Sequence, residues 1–364
     1  MKLKSLLIGV ASSTLIVSAA TAGSITAVSW GGAYTISQVE AYHKPWASKT
    51  GNQVVSEDYG GGLAEIRSQV EAGNVTWDIV DVELSDAVLG CDEGLLEEID
   101  PSMLPAGADG TPAMQDFIPG SITDCAVGNI VWSTIFAYDF EKMPNGPKTM
   151  ADFFDLEKFP GKRGVHTWAN GFIQMALVAD GVSPDAVYIV LKDQSGAVDR
   201  AFAKMDTIKD DIVHWSAGSK PLELVSSGEV VMALAYNGRI GAAILSEGKN
   251  FEYIWDATVL EQEYLVAIKG GNEAEALEFM AHASTAESNA EQAKYIPYGP
   301  MRKSSINIIK KGEPWFIKEG GNIDILPHMP TTPKVLKRAV IGDPVWWADN
   351  GAEVHERFGA WKGS

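Results

Sequence analysis

The sequence predicts an α/β protein of two lobes, each a mostly parallel sheet flanked by helices, with its ligand site in the cleft between them. Three observations carry this expectation. Strand-like and helical patterns alternate from residue 25 to residue 89, the rhythm of parallel strands covered by helices. One long apolar run over 126–138 then interrupts the rhythm, which restarts after it. The strands and helices that the first unit lacks return near the C-terminus, so the chain crosses between lobes more than once. With 364 residues the chain is long enough for two cores. Residues 23–131 with about 265–364 are expected to form the first lobe, and about 132–264 the second.

The elements follow in order. Residues 25–30 form a β-rich run closed by Gly31 and Gly32, and a helical pattern covers 37–49. A second strand, 53–59, leads through Gly60-Gly61-Gly62 into a helix at 63–72. A third, 77–83 (WDIVDVE), leads into a helix at 84–89. In such sheets ligands sit at the carboxyl ends of the strands, which here carry Trp30, Tyr59 and Glu83. After the run 126–138, Thr149 with Asp152 reads as a helix start. A short strand in 161–168, helices at 171–179 and 197–209, and a buried strand at 230–236 follow, with a helix from Gly238. Strands are expected at 251–255 and 263–268. Helices are expected at 273–283, from Ser284 with Glu287 as a capping box, and around 332–340 and 345–358.

The first 22 residues read as a secretory signal peptide. Lys2 and Lys4 precede a short apolar run, and Ala20-Thr21-Ala22 is a small-residue cleavage site. This predicts an exported, periplasmic protein. The only two cysteines, Cys91 and Cys125, are then expected to form a disulfide, because an isolated pair in an oxidising compartment pairs most simply with itself.

Composition excludes several classes. A formal net charge of −19, with 48 acids against 29 bases, argues against nucleic-acid binding, which needs clustered Lys and Arg. A hydrophobic fraction of 46% argues against disorder. No nucleophile elbow, zinc-protease motif or phosphate loop occurs, and the six histidines are scattered singly. No cofactor, metal or catalytic residue is implied. The glycines at 60–62 read as a strand-to-helix turn rather than an anion site. An exported enzyme is the competing class, and turnover of an amine would support it.

What remains is a cage. Trp30, Tyr34, Tyr59, Trp132, Trp168, Tyr236 and Trp255 sit at the ends of expected strands, and the acids Glu83, Asp256 and Glu263 occur at comparable places. Aromatic faces attract ammonium groups, so aromatics with carboxylates suit a small organic amine. Trp46, Trp77, Trp215, Trp315, Trp346, Trp347 and Trp361 are assigned to packing. Arg239 is a cation at a helix start, where it opposes the dipole. It has two readings, a partner for a ligand carboxylate or a salt bridge to an acid of the other lobe.

Several stretches, in order, carry a resemblance: Ser29-Trp30-Gly31-Gly32, Trp77-Asp78-Ile79-Val80-Asp81, the run from Gly94-Leu95-Leu96 to Ile99-Asp100, Thr149 to Asp155, Phe159-Pro160-Gly161-Lys162-Arg163-Gly164, Tyr236-Asn237-Gly238-Arg239 and Tyr298-Gly299-Pro300. The mature chain resembles the substrate-binding proteins of polyamine-type ABC importers, the spermidine/putrescine class. The resemblance implies a two-lobed Venus-flytrap fold, a monomer, no catalysis, and delivery of a captured putrescine- or spermidine-like solute to a membrane permease with its ATPase. It places ligand contacts on Trp30, Glu83, Trp168, Tyr236 and Glu263, with Asp256 nearby. The chain departs from the class at Thr167-Trp168-Ala169-Asn170-Gly171, where polyamine binders carry acids. With Arg239, that departure leaves room for a ligand with one amine and one carboxylate, such as 4-aminobutyrate.

Overall fold

The computed structural model describes residues 23–193, 196–311 and 323–363. The expected signal peptide and Trp315 lie outside the described residues. Ten strands make one sheet: β1 Ser24–Ser29, β2 Gln53–Asp58, β3 Ile79–Glu83, β4 Ala126–Asp139, β5 Arg163–His166, β6 Ile212–Trp215, β7 Met232–Tyr236, β8 Phe251–Ala267, β9 Gly299–Pro300 and β10 Val340–Ile341. The order is β2-β1-β3-β8-β4-β7-β5-β6, with β10 beside β8 and β9 beside β4. Parallel pairs β1·β2 and β1·β3 form one half, and β5·β6 and β5·β7 the other. Two long antiparallel strands, β4 and β8, run through both halves.

The expected strands at 251–255 and 263–268 are therefore one strand. Asp256, Glu261 and Gln262 break the apolar signal between them, but 259–262 stay paired with β4 and only 255–258 fall in a register break. β4 shifts register between Gly128 and Ile130 and again between Thr134 and Phe136. Such bulges bend a strand and re-aim side chains. They bracket the stretch of β4 that faces the cleft. In β8, Ala257 takes up its irregularity with a left-handed backbone, φ 58°.

Two cores flank the crossing. One gathers Ile25, Val28, Ile66, Val80, Leu265 and Phe279, the other Phe136, Phe153, Phe172, Met205, Leu234 and Ile240. The C-terminal helix Pro344–Gly363 departs from the expected grouping of 265–364 with the first lobe. Trp346, Trp347, Val354 and Phe358 are buried in the second core, where Phe358 meets Phe172 and Phe202 ring to ring.

Capping signals mark two helix starts. Thr149 and Asp152 form the expected capping box of helix Met150–Phe154. The later cap is one residue on: Thr285, not Ser284, caps helix Ala286–Gln292 by accepting from Ser288 N. The helix expected over 332–340 is only the turn Pro333–Leu336, and β10 follows it.

Cys91 and Cys125 form the disulfide, with Cα atoms 5.8 Å apart and a sequence separation of 34. Removing it by Cys91→Ser with Cys125→Ser is expected to cost about 3–4 kcal/mol in the chain-entropy treatment. Urea unfolding of the double variant against the oxidised protein measures this; coincident curves would show the bond to be neutral.

Candidate ligand-binding cleft

The carboxyl ends of β1, β3 and β5 and the start of helix Asn237–Glu247 converge on a cleft of about 450 Å³. Of the expected site residues, Trp30, Tyr34, Tyr59, Glu83, Trp132, Trp168, Tyr236, Arg239 and Glu263 line it. Tyr34, Ile130, Trp132 and Tyr298 form a small apolar cluster there, against which Trp30 and Tyr236 pack. Trp30 lies 5.0 Å from Tyr59, and Trp132 meets Tyr236 edge-on at 5.1 Å.

Gly61 lets the two lobes meet across the mouth. Its φ of +89° is one that L side chains rarely adopt. A Cβ there would also fall 2.6 Å from Trp30 and 3.1 Å from Trp168. The glycine run is thus a turn, as expected, and also the place where the two tryptophans close in.

The two other expected residues are not in the cleft. Trp255 packs on Tyr253 at 4.9 Å. Asp256 pairs with Arg338 at 2.6 Å and accepts from Met150 N at 2.8 Å. Both follow from β8 being continuous: 255 and 256 lie well inside the strand, far along it from the cleft end.

One end of the cleft is negative. Glu83 and Glu263 are directly opposed on β3 and β8, an arrangement that costs stability when both are charged. Glu263 is only 5% exposed and accepts from Trp30 Nε1 at 3.2 Å. Burial, then neighbouring Asp81, Glu83 and Glu261, holds its carboxyl well above the usual range. Glu83 is raised in the same way by burial, Glu261 and Asp86. Among the described residues no Lys or Arg forms an ion pair with either.

The other end is positive. Arg239 is 7% exposed. Its Nη1 donates to Gly31 O at 3.0 Å and its Nη2 to Trp30 O at 3.1 Å, while its buried Nε has no acceptor. A Cβ on Gly218 would stand 2.6 Å from that Nε, so only glycine admits the guanidinium here. Of the two readings of Arg239, the salt bridge to an acid of the other lobe is not formed: its bonds across the cleft go to backbone carbonyls, and no described carboxylate pairs with it. Trp30 touches both poles, with its carbonyl at Arg239 and its indole N–H at Glu263. Trp132 Nε1 is buried without an acceptor among the described residues.

Sequence reasoning missed two residues that line the cleft, Tyr298 and His166, and two buried carboxyls whose charge bears on it, Asp81 and Glu261. Asp81 lies fully buried behind Tyr34, accepting from Tyr34 Oη at 2.7 Å, from Asn129 Nδ2 at 3.0 Å and from Gln38. Burial raises it to about 7. An aspartate inside the apolar run WDIVDVE was the available signal. Tyr298 stands edge-on to Tyr34 at 5.4 Å. Glu261 accepts from Asn170 at 2.7 Å and is raised by burial to about 7. His166 lines the cleft and is lowered by burial to about 4, so it is neutral; its Nδ1 accepts from Trp168 N and its Nε2–H donates to Ser216 O.

Comparison with known proteins gives the family. The model of the bacterial extracellular solute-binding proteins matches residues 41–320. The chain belongs to that family. It is 39% identical over 339 residues to the gamma-aminobutyric acid-binding protein of Pseudomonas aeruginosa PAO1, covering 93% of this chain and 90% of that one. Among solved structures it is similar to the binding protein MotA of A. tumefaciens B6 in complex with glucopine, at TM-score 0.82 and 28% identity over 93% and 99% of the two chains. It is also similar to the Atu4243 GABA receptor, at TM-score 0.77 and 32% identity over 93% and 98%. The fold is thus that of the periplasmic binding proteins, a family of solute binders rather than enzymes. The polyamine class named from sequence is narrower than the family these matches support.

Proposed function

We propose that this family member is the periplasmic binding component of an ABC importer, and that it captures a small ω-amino acid of the 4-aminobutyrate (GABA) type for a membrane permease and its ATPase. The observation that carries the reading is Arg239, a buried guanidinium that no described carboxylate pairs with, in the same cleft as Glu83 and Glu263, which no described Lys or Arg pairs with. A buried charge without a partner is costly. A zwitterion relieves both ends: its ammonium meets Glu83 and Glu263, and its carboxylate meets Arg239 with Trp132 Nε1. The rings of Trp30, Tyr34, Tyr59 and Tyr236 cover the methylenes between. A diamine would satisfy the first end and set its second ammonium against the guanidinium. The two relatives named for GABA support the same choice.

A thermal-shift screen with GABA, putrescine, spermidine and glycine betaine tests this. Ligand at 100 times its Kd adds about 2.7 kcal/mol of stability, a shift of several degrees for a chain this size. GABA is expected to give the shift and the diamines none. A shift with putrescine or spermidine and none with GABA would reverse the assignment.

A further inference from the structure

We propose a second small-molecule site, beside the stretch of β8 left open between β3 and β10, that takes a hydrophobic monoammonium cation. It stands on its own observations and does not need the GABA reading.

The site begins as a gap in the sheet. β3 pairs with β8 from Ala267 only as far as Glu263, and β10 pairs with it only at Val259 and Leu260. Between them, Glu261 and Gln262 have no neighbouring strand on that edge. The gap holds a cavity of about 510 Å³ whose walls are largely apolar, among them Val131, Leu260, Ile341 and Trp347. Its exposed rim is apolar too: Ile341 and Leu336 both line it and face solvent.

The charge inside is one-sided. Glu83, Glu261 and Asp343 are the ionisable residues lining the cavity, and no Lys, Arg or His is among them. Asp343 is neutralised by Lys192. Glu261 uses one oxygen for Asn170; among the described residues its other oxygen and the carboxylate of Glu83 have no hydrogen-bond partner. Burial disfavours a charged Glu261 in the empty protein, and an ammonium beside it would restore the charge. A carboxylate at the base of an apolar, Trp-walled cavity with an apolar mouth matches an ammonium head on an aliphatic tail.

Glu83 lines both this cavity and the cleft. Each site therefore draws on one carboxylate, and occupation of one weakens the other by the same factor in both directions.

Calorimetric titration of the purified protein with n-hexylammonium tests the proposal. Binding is expected in the parent protein, and again, within threefold, in Glu263→Gln, which removes a carboxylate of the cleft but none of the cavity. It is expected to weaken at least tenfold in Glu261→Gln and in Ile341→Lys. Ile341 is exposed, so its lysine leaves the fold intact and supplies a competing cation at the mouth; GABA titration of Ile341→Lys should match the parent and so reports on the cleft separately. No binding in the parent, loss in Glu263→Gln, or parent-like affinity in Ile341→Lys would each overturn the site.

Discussion

Arg239→Ala is expected to weaken GABA binding by about 30-fold to several thousand-fold, the range of 2–5 kcal/mol for stripping one partner from a buried charge pair. Affinity alone would not isolate the cause, because Arg239 also holds Trp30 O and Gly31 O across the cleft. The cleaner measure is a cycle with n-butylamine, which is GABA without its carboxylate. In the parent, GABA is expected to bind far more tightly than butylamine. In Arg239→Ala the two should converge, since lost inter-lobe bonds penalise both ligands equally. An unchanged ratio of the two affinities in the variant would show that Arg239 is a strut and not the carboxylate's partner.

The same residue shows how far the sequence could be read. The rhythm of strand and helix gave the two parallel halves, because each strand end is marked by a glycine or by a helix start. The cage was legible in part for a related reason: Trp30, Tyr59, Glu83 and Tyr236 stand at or just past strand ends, and nine of the eleven expected contacts line the cleft, although Trp132 and Glu263 do so from inside β4 and β8. Trp255 and Asp256 failed because one strand was read as two, which moved a false end into the middle of β8. The choice between a diamine and a zwitterion stayed open in the sequence. Arg239 looks alike in sequence whether its partner is a ligand or a protein acid, and only the geometry shows that both Nη atoms go to carbonyls and no carboxylate answers. Asp81 escaped for the opposite reason. It sits in an apolar run where alternation assigns it to the core, and its hydrogen-bond partners come from positions 34, 38 and 129. No local pattern could assemble such a network.

GABA affinity is expected to rise with pH between about 5 and 8, and binding to release protons. Asp81 and Glu83 on β3, and Glu261 and Glu263 on β8, all have carboxyls raised by burial, two of them to about 7. Asp86, on the helix after β3, is raised too. The cleft also holds Arg239, and His166, held near 4 by burial and so neutral across the window. In the empty cleft the acids therefore retain protons that ordinary carboxyls lose. The ligand's ammonium favours the ionised forms, so protons leave as it enters. Affinity then climbs by up to about tenfold per pH unit for each proton released. The same linkage acts on the empty fold with the opposite sign. A carboxyl raised in the folded state stabilises it below the unfolded value and loses that contribution as pH rises through the folded one. The empty protein should accordingly melt lower at pH 8 than at pH 5.5, and saturating GABA should narrow the difference. Titration calorimetry at pH 6.5 in two buffers of different ionisation enthalpy counts the protons directly. Glu263→Gln removes one of the opposed pair, so it should weaken binding at pH 8 and flatten the pH profile together. Buffer-independent enthalpies with a flat affinity profile in the parent would mean that the acids are already ionised before the ligand arrives, and that the cleft holds its ammonium without moving a proton.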